Sequence, residues 1–188
     1  MRKLVLSSFM SLDGYSCDPG TELFEFFMQL EEGEGAEQEE YGVARLREVG
    51  THIMGRVTYL GMKDFWPSST HVNAAPMNDL PKVVFSRTLT KAEATWPETT
   101  IAAGDTAAEI AGLKAEPGGA ILAHGGTSFA RSLIQLGLVD EYRFMVVPAY
   151  AGKGTPLFTD FTKLRLVSSK AFSSGLLELV YAPAVPGR

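Results

Sequence analysis

Hydrophobic residues in this chain fall by turns into short continuous runs and into stripes of helical spacing, separated mostly by glycine and proline. Residues 3–10 are rich in β-formers and end at Ser11-Leu12-Asp13-Gly14, a turn signal, which predicts a first strand and then a loop as far as Gly20. Leu23, Phe24, Phe26, Phe27 and Leu30 mark a short helix with an apolar face. The acidic stretch 31–40, broken by Gly33 and Gly35, reads as a solvated loop, followed by a second helix over 41–49 and a brief buried strand over 51–54. From Gly55 the pattern turns helical as far as Phe65, where Trp66-Pro67 stops it.

The same grammar repeats downstream. Residues 82–86 and 99–102 are compact strands. Gly104-Asp105-Thr106 carries an N-cap signal for a helix over 107–114. A short apolar run at 120–123 leads into Gly125-Gly126-Thr127, which opens a helix whose Phe129, Leu133, Ile134 and Leu136 share one face and which Gly137 caps. Residues 142–147, 164–172 and 176–181 close the chain as strands. Alternating strands and helices ending in a strand pair imply an α/β fold. Its sheet is mixed and mostly parallel, with flanking helices and an antiparallel C-terminal hairpin turning at Ser173-Ser174-Gly175. With 188 residues and no internal repeat or linker, one domain over 1–188 is expected.

Composition narrows the chemistry. A net charge of -5 argues against nucleic acid as the main partner, because neutralising phosphates needs surplus Lys and Arg. Any anion site must then be built locally. Cys17 is the only cysteine, so an internal disulfide and a thiolate zinc site are both excluded. His52, His71 and His124 show no close ligand spacing, so no metal is expected. The N-terminus lacks the apolar run of a signal or membrane segment, and a reducing cytoplasm is the expected compartment, with no membrane partner.

Two glycine turns lie between a buried strand and a helix, where backbone N–H groups can approach a phosphate. Met54-Gly55-Arg56-Val57-Thr58-Tyr59 adds a guanidinium and a hydroxyl; His124-Gly125-Gly126-Thr127-Ser128 adds two hydroxyls. Either turn reads equally as plain strand-to-helix punctuation. Neither matches the GxGxxG fingerprint or the GxxxxGK[ST] phosphate loop. Ser86-Arg87-Thr88, after a strand, is a third candidate: an Arg beside a hydroxyl either grips a dinucleotide 2′-phosphate or is a solvated residue opening a turn.

GRVTY at 55–59, VVFSRT at 83–88 and Gly125-Gly126 occur in the order seen in the dihydrofolate reductase superfamily. The segment ILAHGGTSFARSLIQLGLVDEYRFMVVPAYAGKGTPLF, 121–158, and SLDGY near the N-terminus resemble the family of the C-terminal reductase domain of the bacterial riboflavin-biosynthesis deaminase/reductase. The resemblance covers nearly the whole chain. It implies a central mixed sheet of about eight strands with NADPH across the C-terminal strand ends, and an NADPH-dependent oxidoreductase passing hydride to a small pterin-like or pyrimidine-like substrate. Gly55, Arg56 and Thr58, with Gly125, Gly126 and Thr127, would then contact the pyrophosphate. Ser86 and Arg87 would hold the 2′-phosphate, and Gly104 with Asp105 would border the adenine. Asp13 and Gly14 would lie by the nicotinamide and substrate, with Trp66 as a pocket wall. Pro148, Gly152 and Gly154 match a family connection at the pocket rim, and segment 138–147 is where related domains pair as homodimers.

The proton donor is less visible. Dihydrofolate reductases carry a carboxylate on the first helix; Glu22 and Glu25 are the candidates there and neither aligns, which leaves Asp13 as either an acid or an Asx-turn former. Holding the nicotinamide close to the acceptor carbon supplies most of hydride-transfer catalysis without a strong acid. Two alternatives stay open. One is 5-amino-6-(5-phosphoribosylamino)uracil reduction, although the H-x-E and P-C-x-x-C signature of a fused zinc deaminase is absent from this sequence. The other is an inactive NADPH-binding sensor.

Overall fold

The computed structural model describes residues 1–32 and 36–184. Its strands are β1 (Leu4–Ser11), β2 (Val49–Gly55), β3 (Lys82–Phe85), β4 (Thr99–Ala102), β5 (Ala120–His124), β6 (Glu141–Val147), β7 (Leu164–Ala171) and β8 (Leu177–Pro183). They form an eight-stranded sheet in the order β4-β3-β2-β5-β1-β6-β8-β7. Every neighbouring pair from β4 to β6 is parallel, whereas β8 runs antiparallel to β6 and to β7. The expected mixed, mostly parallel sheet with its antiparallel C-terminal hairpin is therefore the observed one.

Helices α1 (Glu22–Glu32), α2 (Ala36–Leu46), α3 (Arg56–Met62), α4 (Ala74–Asp79), α5 (Thr106–Ala115) and α6 (Thr127–Gln135) cover both faces. Alternate side chains of the central strands divide between them, as the two-residue period of a strand requires. Leu4 and Leu6 of β1, Ile53 of β2 and Ile121 and Ala123 of β5 bury themselves with Ile110 of α5 and Ala130 and Leu133 of α6. Met54 of β2 and Val84 of β3 face the other way, against Tyr59 of α3, Met77 of α4 and Trp96. Leu23 and Phe27 of α1 pack with Val147, Phe172 and Leu176. Both faces of the central strands are thus covered, while β7 at the end of the sheet stays largely exposed.

Two elements differ from the sequence reading. The stretch 31–40 is not a loop: α1 continues to Glu32 and α2 begins at Ala36, with 33–35 outside the described residues. Charge does not break a helix, since Glu, Gln and Ala are strong helix formers. What holds α2 down is polar. Arg45 reaches the buried Glu178 of β8 at 2.9 Å, Tyr41 donates to the same carboxylate, and Gln38 accepts from Ser174 at 2.8 Å. The second departure is α4, a six-residue helix with Pro76 inside it, too short for periodicity to reveal. The fully buried Lys82 secures its C-terminal end by donating to the carbonyls of Met77 (3.2 Å) and Asn78 (2.6 Å), with its ammonium 4.8 Å from the centre of the Trp96 ring. Burial lowers the Lys82 pKa to about 8.

Within segment 138–147, β6 is paired on both sides, by β1 and β8, with Tyr142, Phe144 and Val146 buried. Among the described residues no helix is long and apolar enough to cross a membrane.

Candidate functional site

The order of the strands creates one place where the chain diverges. After β2 the chain passes through α3 to β3, on one side; after β5 it passes through α6 to β6, on the other. β2 and β5 are parallel neighbours, so their C-terminal ends lie side by side while their connections leave in opposite directions. In open α/β sheets a crevice forms at such a switch point, and it is where ligands bind. The two glycine turns are the ends of these two strands.

They touch. Thr58 Oγ1 donates to the Gly125 carbonyl at 2.7 Å. Gly126 has φ +109°, and a Cβ there would stand 2.3 Å from Thr58 Oγ1; a Cβ on Gly55 would stand 3.1 Å from Cβ of Phe129. Glycine is required at 126 both for its backbone conformation and for this approach. Neither α3 nor α6 has a side-chain cap at its N-terminus, so first-turn amides face the crevice without an internal acceptor from a capping residue. The sequence-predicted Gly55, Thr58, Gly125, Gly126 and Thr127 are thus gathered into one place.

Register extends the row. Gly55 pairs with Phe85 of β3, and Phe85 with Ala102 of β4. Ser86 and Arg87 therefore follow one strand away from Gly55, and Gly104 two strands away. At about 5 Å per strand, the row from Gly125 to Gly104 spans roughly 15 Å. Arg87 is exposed and makes no hydrogen bond or ion pair among the described residues. Ser86 is occupied locally: its Oγ accepts from the amides of Thr88 (3.1 Å) and Leu89 (2.9 Å), which fixes the turn that presents Arg87. Asp105 caps α5 by accepting from Ala108 at 2.9 Å, and a Cβ on Gly104 would meet the carboxylate end of Glu109 at 2.7 Å. Arg56 leans away, to Glu93 at 3.0 Å, in a half-exposed pair worth little. Its Nε is buried without a partner, an unused donor at the first residue of α3.

Other candidates fall elsewhere. The Asp13 carboxylate accepts from the backbone of Ala151 (3.0 Å) and Gly152 (2.8 Å). Hydrogen bonding with Ser11 and these amides lowers its pKa to about 2. A carboxylate so held ties the loop after β1 to the loop after β6. Gly14 and Gly154 both have positive φ, +87° and +139°, and a Cβ on Gly154 would meet the Tyr15 ring at 3.5 Å, which accounts for the glycines of the rim. Glu22 and Glu25 are exposed in the first turn of α1, favourable to its dipole, while Leu23 and Phe27 take the inner face. Trp66 follows α3, eleven residues after Gly55, and packs against the core around Met54 and Trp96.

We expect Asp13→Asn to lower the melting temperature at neutral pH, because the neutral amide has one acceptor oxygen for two donors. Asp13 titrates near 2 when folded and near 3.8 when free, so its contribution is complete above about pH 4 and disappears as pH falls to 2. Thermal melts of both proteins from pH 7 to 2 should converge at the acid end; a gap that persists there contradicts the clamp.

Two features escaped the sequence. Thr127 Oγ1, expected at a phosphate, donates instead to both oxygens of Asp18 at 2.7 and 3.0 Å. Asp18 lies between β1 and α1, with its backbone carbonyl accepting from Thr21 Oγ1 at 2.7 Å, so an internal anion already stands at the start of α6. His124 and His52, on adjacent strands, are joined at 2.8 Å. Nothing in spacing announces a pair 72 positions apart.

The RibD C-terminal domain family matches residues 2–177. The chain is 31% identical over 148 residues to the "Uncharacterized protein YyaP" of Bacillus subtilis (strain 168), covering 72% of this chain and 75% of that one. Among solved structures, a Shewanella sp. PV-4 protein named for riboflavin biosynthesis superposes with TM-score 0.76 at 22% identity, over 97% of this chain and 99% of that one. A pyrimidine reductase-like protein of Corynebacterium diphtheriae gives 0.65 at 14% identity, over 98% and 92%. The fold is the expected dihydrofolate-reductase-like one, and with a match running from Arg2 through Leu177 the chain belongs to the RibD C-terminal domain family.

Proposed function

We propose that the protein is an NADPH-dependent reductase of a small pterin-like or pyrimidine-like heterocycle. The observation that carries this reading is the contact between the two glycine turns at the divergence of β2 and β5, with uncapped amides on both sides. The residues fit the cofactor on three counts. A Cβ would fill the cradle at Gly126, Arg56 keeps a buried donor without an acceptor, and Arg87 is a free cation one strand along the row. In this reading Gly55, Arg56, Gly125 and Gly126 face the pyrophosphate and Arg87 the 2′-phosphate. Bound NADPH supplies the hydride. The protein's part is to hold the two reactants together, since neither Asp13 nor a carboxylate of α1 is placed to deliver a proton.

Membership of the RibD family supports reductase chemistry, and the pyrimidine reductase-like neighbour favours a pyrimidine among the possible substrates. The test is NADPH oxidation by the full chain, followed at 340 nm (, roughly the reduced-nicotinamide band), against 5-amino-6-ribosylaminouracil phosphates, dihydrofolate and quinones. Turnover with one heterocycle class and not in heat-inactivated protein supports the reading. NADPH binding with no turnover in any class would replace it with a binding-only role.

Asp18 gives a second expected outcome. Its carboxylate competes with a phosphate for the start of α6, so Asp18→Asn should tighten NADPH binding about 3- to 10-fold, the equivalent of roughly 1 kcal/mol of charge repulsion at short range. A fluorescence titration of both proteins at one ionic strength measures this. Equal or weaker binding by the variant would mean that no phosphate comes up against the Asp18 charge at the start of α6.

A further inference from the structure

The His52–His124 pair has only one arrangement of protons when both rings are neutral. His52 Nε2 lies 3.1 Å from the Pro76 carbonyl, which can only accept, so Nε2 carries the hydrogen. His52 Nδ1 is then a bare acceptor. His124 Nε2, 2.8 Å away, must donate to it. That leaves His124 Nδ1 without a proton. No hydrogen bond to Nδ1 exists among the described residues, and the residue as a whole is only partly buried. His124 is the last residue of β5, directly before Gly125, so its ring is attached to the turn that forms one side of the crevice.

Both rings are held neutral by their surroundings. His52 is fully buried, which lowers its pKa to about 4, with Lys82 adding repulsion. Burial, and then His52 itself, push His124 well below the usual histidine range. The other ionisable groups at the crevice bond elsewhere, Asp18 with Thr127 and Arg56 with Glu93, and among the described residues make no hydrogen bond to the imidazoles. A ring whose tautomer is chosen by a backbone carbonyl two bonds away, at the entrance to a ligand crevice, is arranged as a fixed acceptor.

We propose that His52 positions His124 so that His124 Nδ1 accepts a hydrogen bond from an N–H group of the bound ligand, making the site selective for ligands that carry such a donor there. This inference rests on the reductase reading. The donor is an amide or lactam N–H, and two sources carry one: the carboxamide of the nicotinamide and the lactam edge of a pyrimidine or pterin. Ligands that present only an acceptor at this point would be rejected, because two facing lone pairs repel and leave Nδ1 desolvated without a partner.

The test is nitrogen-15 NMR of the full chain labelled in histidine, with NADPH binding followed in parallel by tryptophan fluorescence. In the free protein at pH 7 both rings should show the Nε2–H tautomer. A charged His124, or an Nδ1–H tautomer, overturns the proposal irrespective of any ligand. At saturating NADPH, a shift of His124 Nδ1 toward the hydrogen-bonded range that is absent with the 3-acetylpyridine analogue, which lacks the N–H, assigns the donor to the carboxamide. A shift that appears only when 5,6-diaminouracil is added to the NADPH-bound protein assigns it to the substrate. No shift in any of these, at saturation, overturns the proposal while leaving the cofactor site standing; failure to bind NADPH at all overturns the reductase reading instead. In His52→Phe the His124 ring should lose its single tautomer, and an unchanged signature would remove His52 from the positioning role.

Discussion

Alanine at position 126 should destabilise the protein by about 2–5 kcal/mol, the combined cost of a strained backbone and an overpacked contact. The same substitution at position 112 should stabilise it. At Gly126 the backbone has φ +109° and the added Cβ meets Thr58 Oγ1 at 2.3 Å, with Thr58 itself bonded to Gly125 and unable to swing away without losing that bond. At Gly112, exposed within α5, nothing lies within 4 Å of the added Cβ, and helix propensity alone gives about 0.5–1 kcal/mol. For a chain of this size the 126 variant should melt roughly 5–15 °C lower. Because Thr58 links the two turns, that variant should also lose at least tenfold in NADPH affinity under conditions where it remains folded. Calorimetric melts of both variants, with an NADPH titration of each below its melting point, check this. A neutral effect at 126 would mean that the turns are not held together as described.

Arg87→Ala should weaken NADPH binding about 10- to 100-fold and leave NADH binding nearly unchanged. A charge-assisted hydrogen bond to phosphate contributes roughly 1.5–3 kcal/mol, and each 1.4 kcal/mol is a factor of ten. Among the described residues Arg87 has no hydrogen bond or ion pair to lose, so its removal should not alter the melting temperature of the free protein by more than about a degree. The split between cofactors is what separates a 2′-phosphate contact from general attraction of anions, which would weaken both equally. Titration of the two proteins with the two dinucleotides at fixed salt gives the ratio directly. Equal losses for NADPH and NADH would remove Arg87 from the site.

The sequence made the sheet legible because its strands are short and bounded by glycine or proline, and because parallel strands with both faces covered read as continuous apolar runs such as 120–123. The glycine turns were legible for the same reason: a strand that ends in Gly55 or His124-Gly125-Gly126 and runs straight into a helix has few conformations open to it. What could not be read was anything that needs register. Asp18 meets Thr127 and His52 meets His124 only because the strand order places β5 between β2 and β1, which no local pattern encodes. The acidic segment reads as a loop because its charge and two glycines suggest solvent, whereas Tyr41 and Arg45 anchor α2 to a glutamate more than 130 positions away. Asp13 misled in another way. An Asp-Gly turn announces an available carboxylate, and only the loop after β6 shows that each of its oxygens accepts a backbone N–H.

The central claim is that a dinucleotide lies across the joined turns at the ends of β2 and β5. Hydrogen–deuterium exchange of the full chain with and without saturating NADPH tests it most directly, since protection appears where amides gain an acceptor or are covered. The account predicts slowed exchange at 55–58 and 125–129, extending to 86–88 with NADPH and less so with NADH, and no change along β7 or β8. Protection confined to other parts of the chain, or none at saturation, would contradict it.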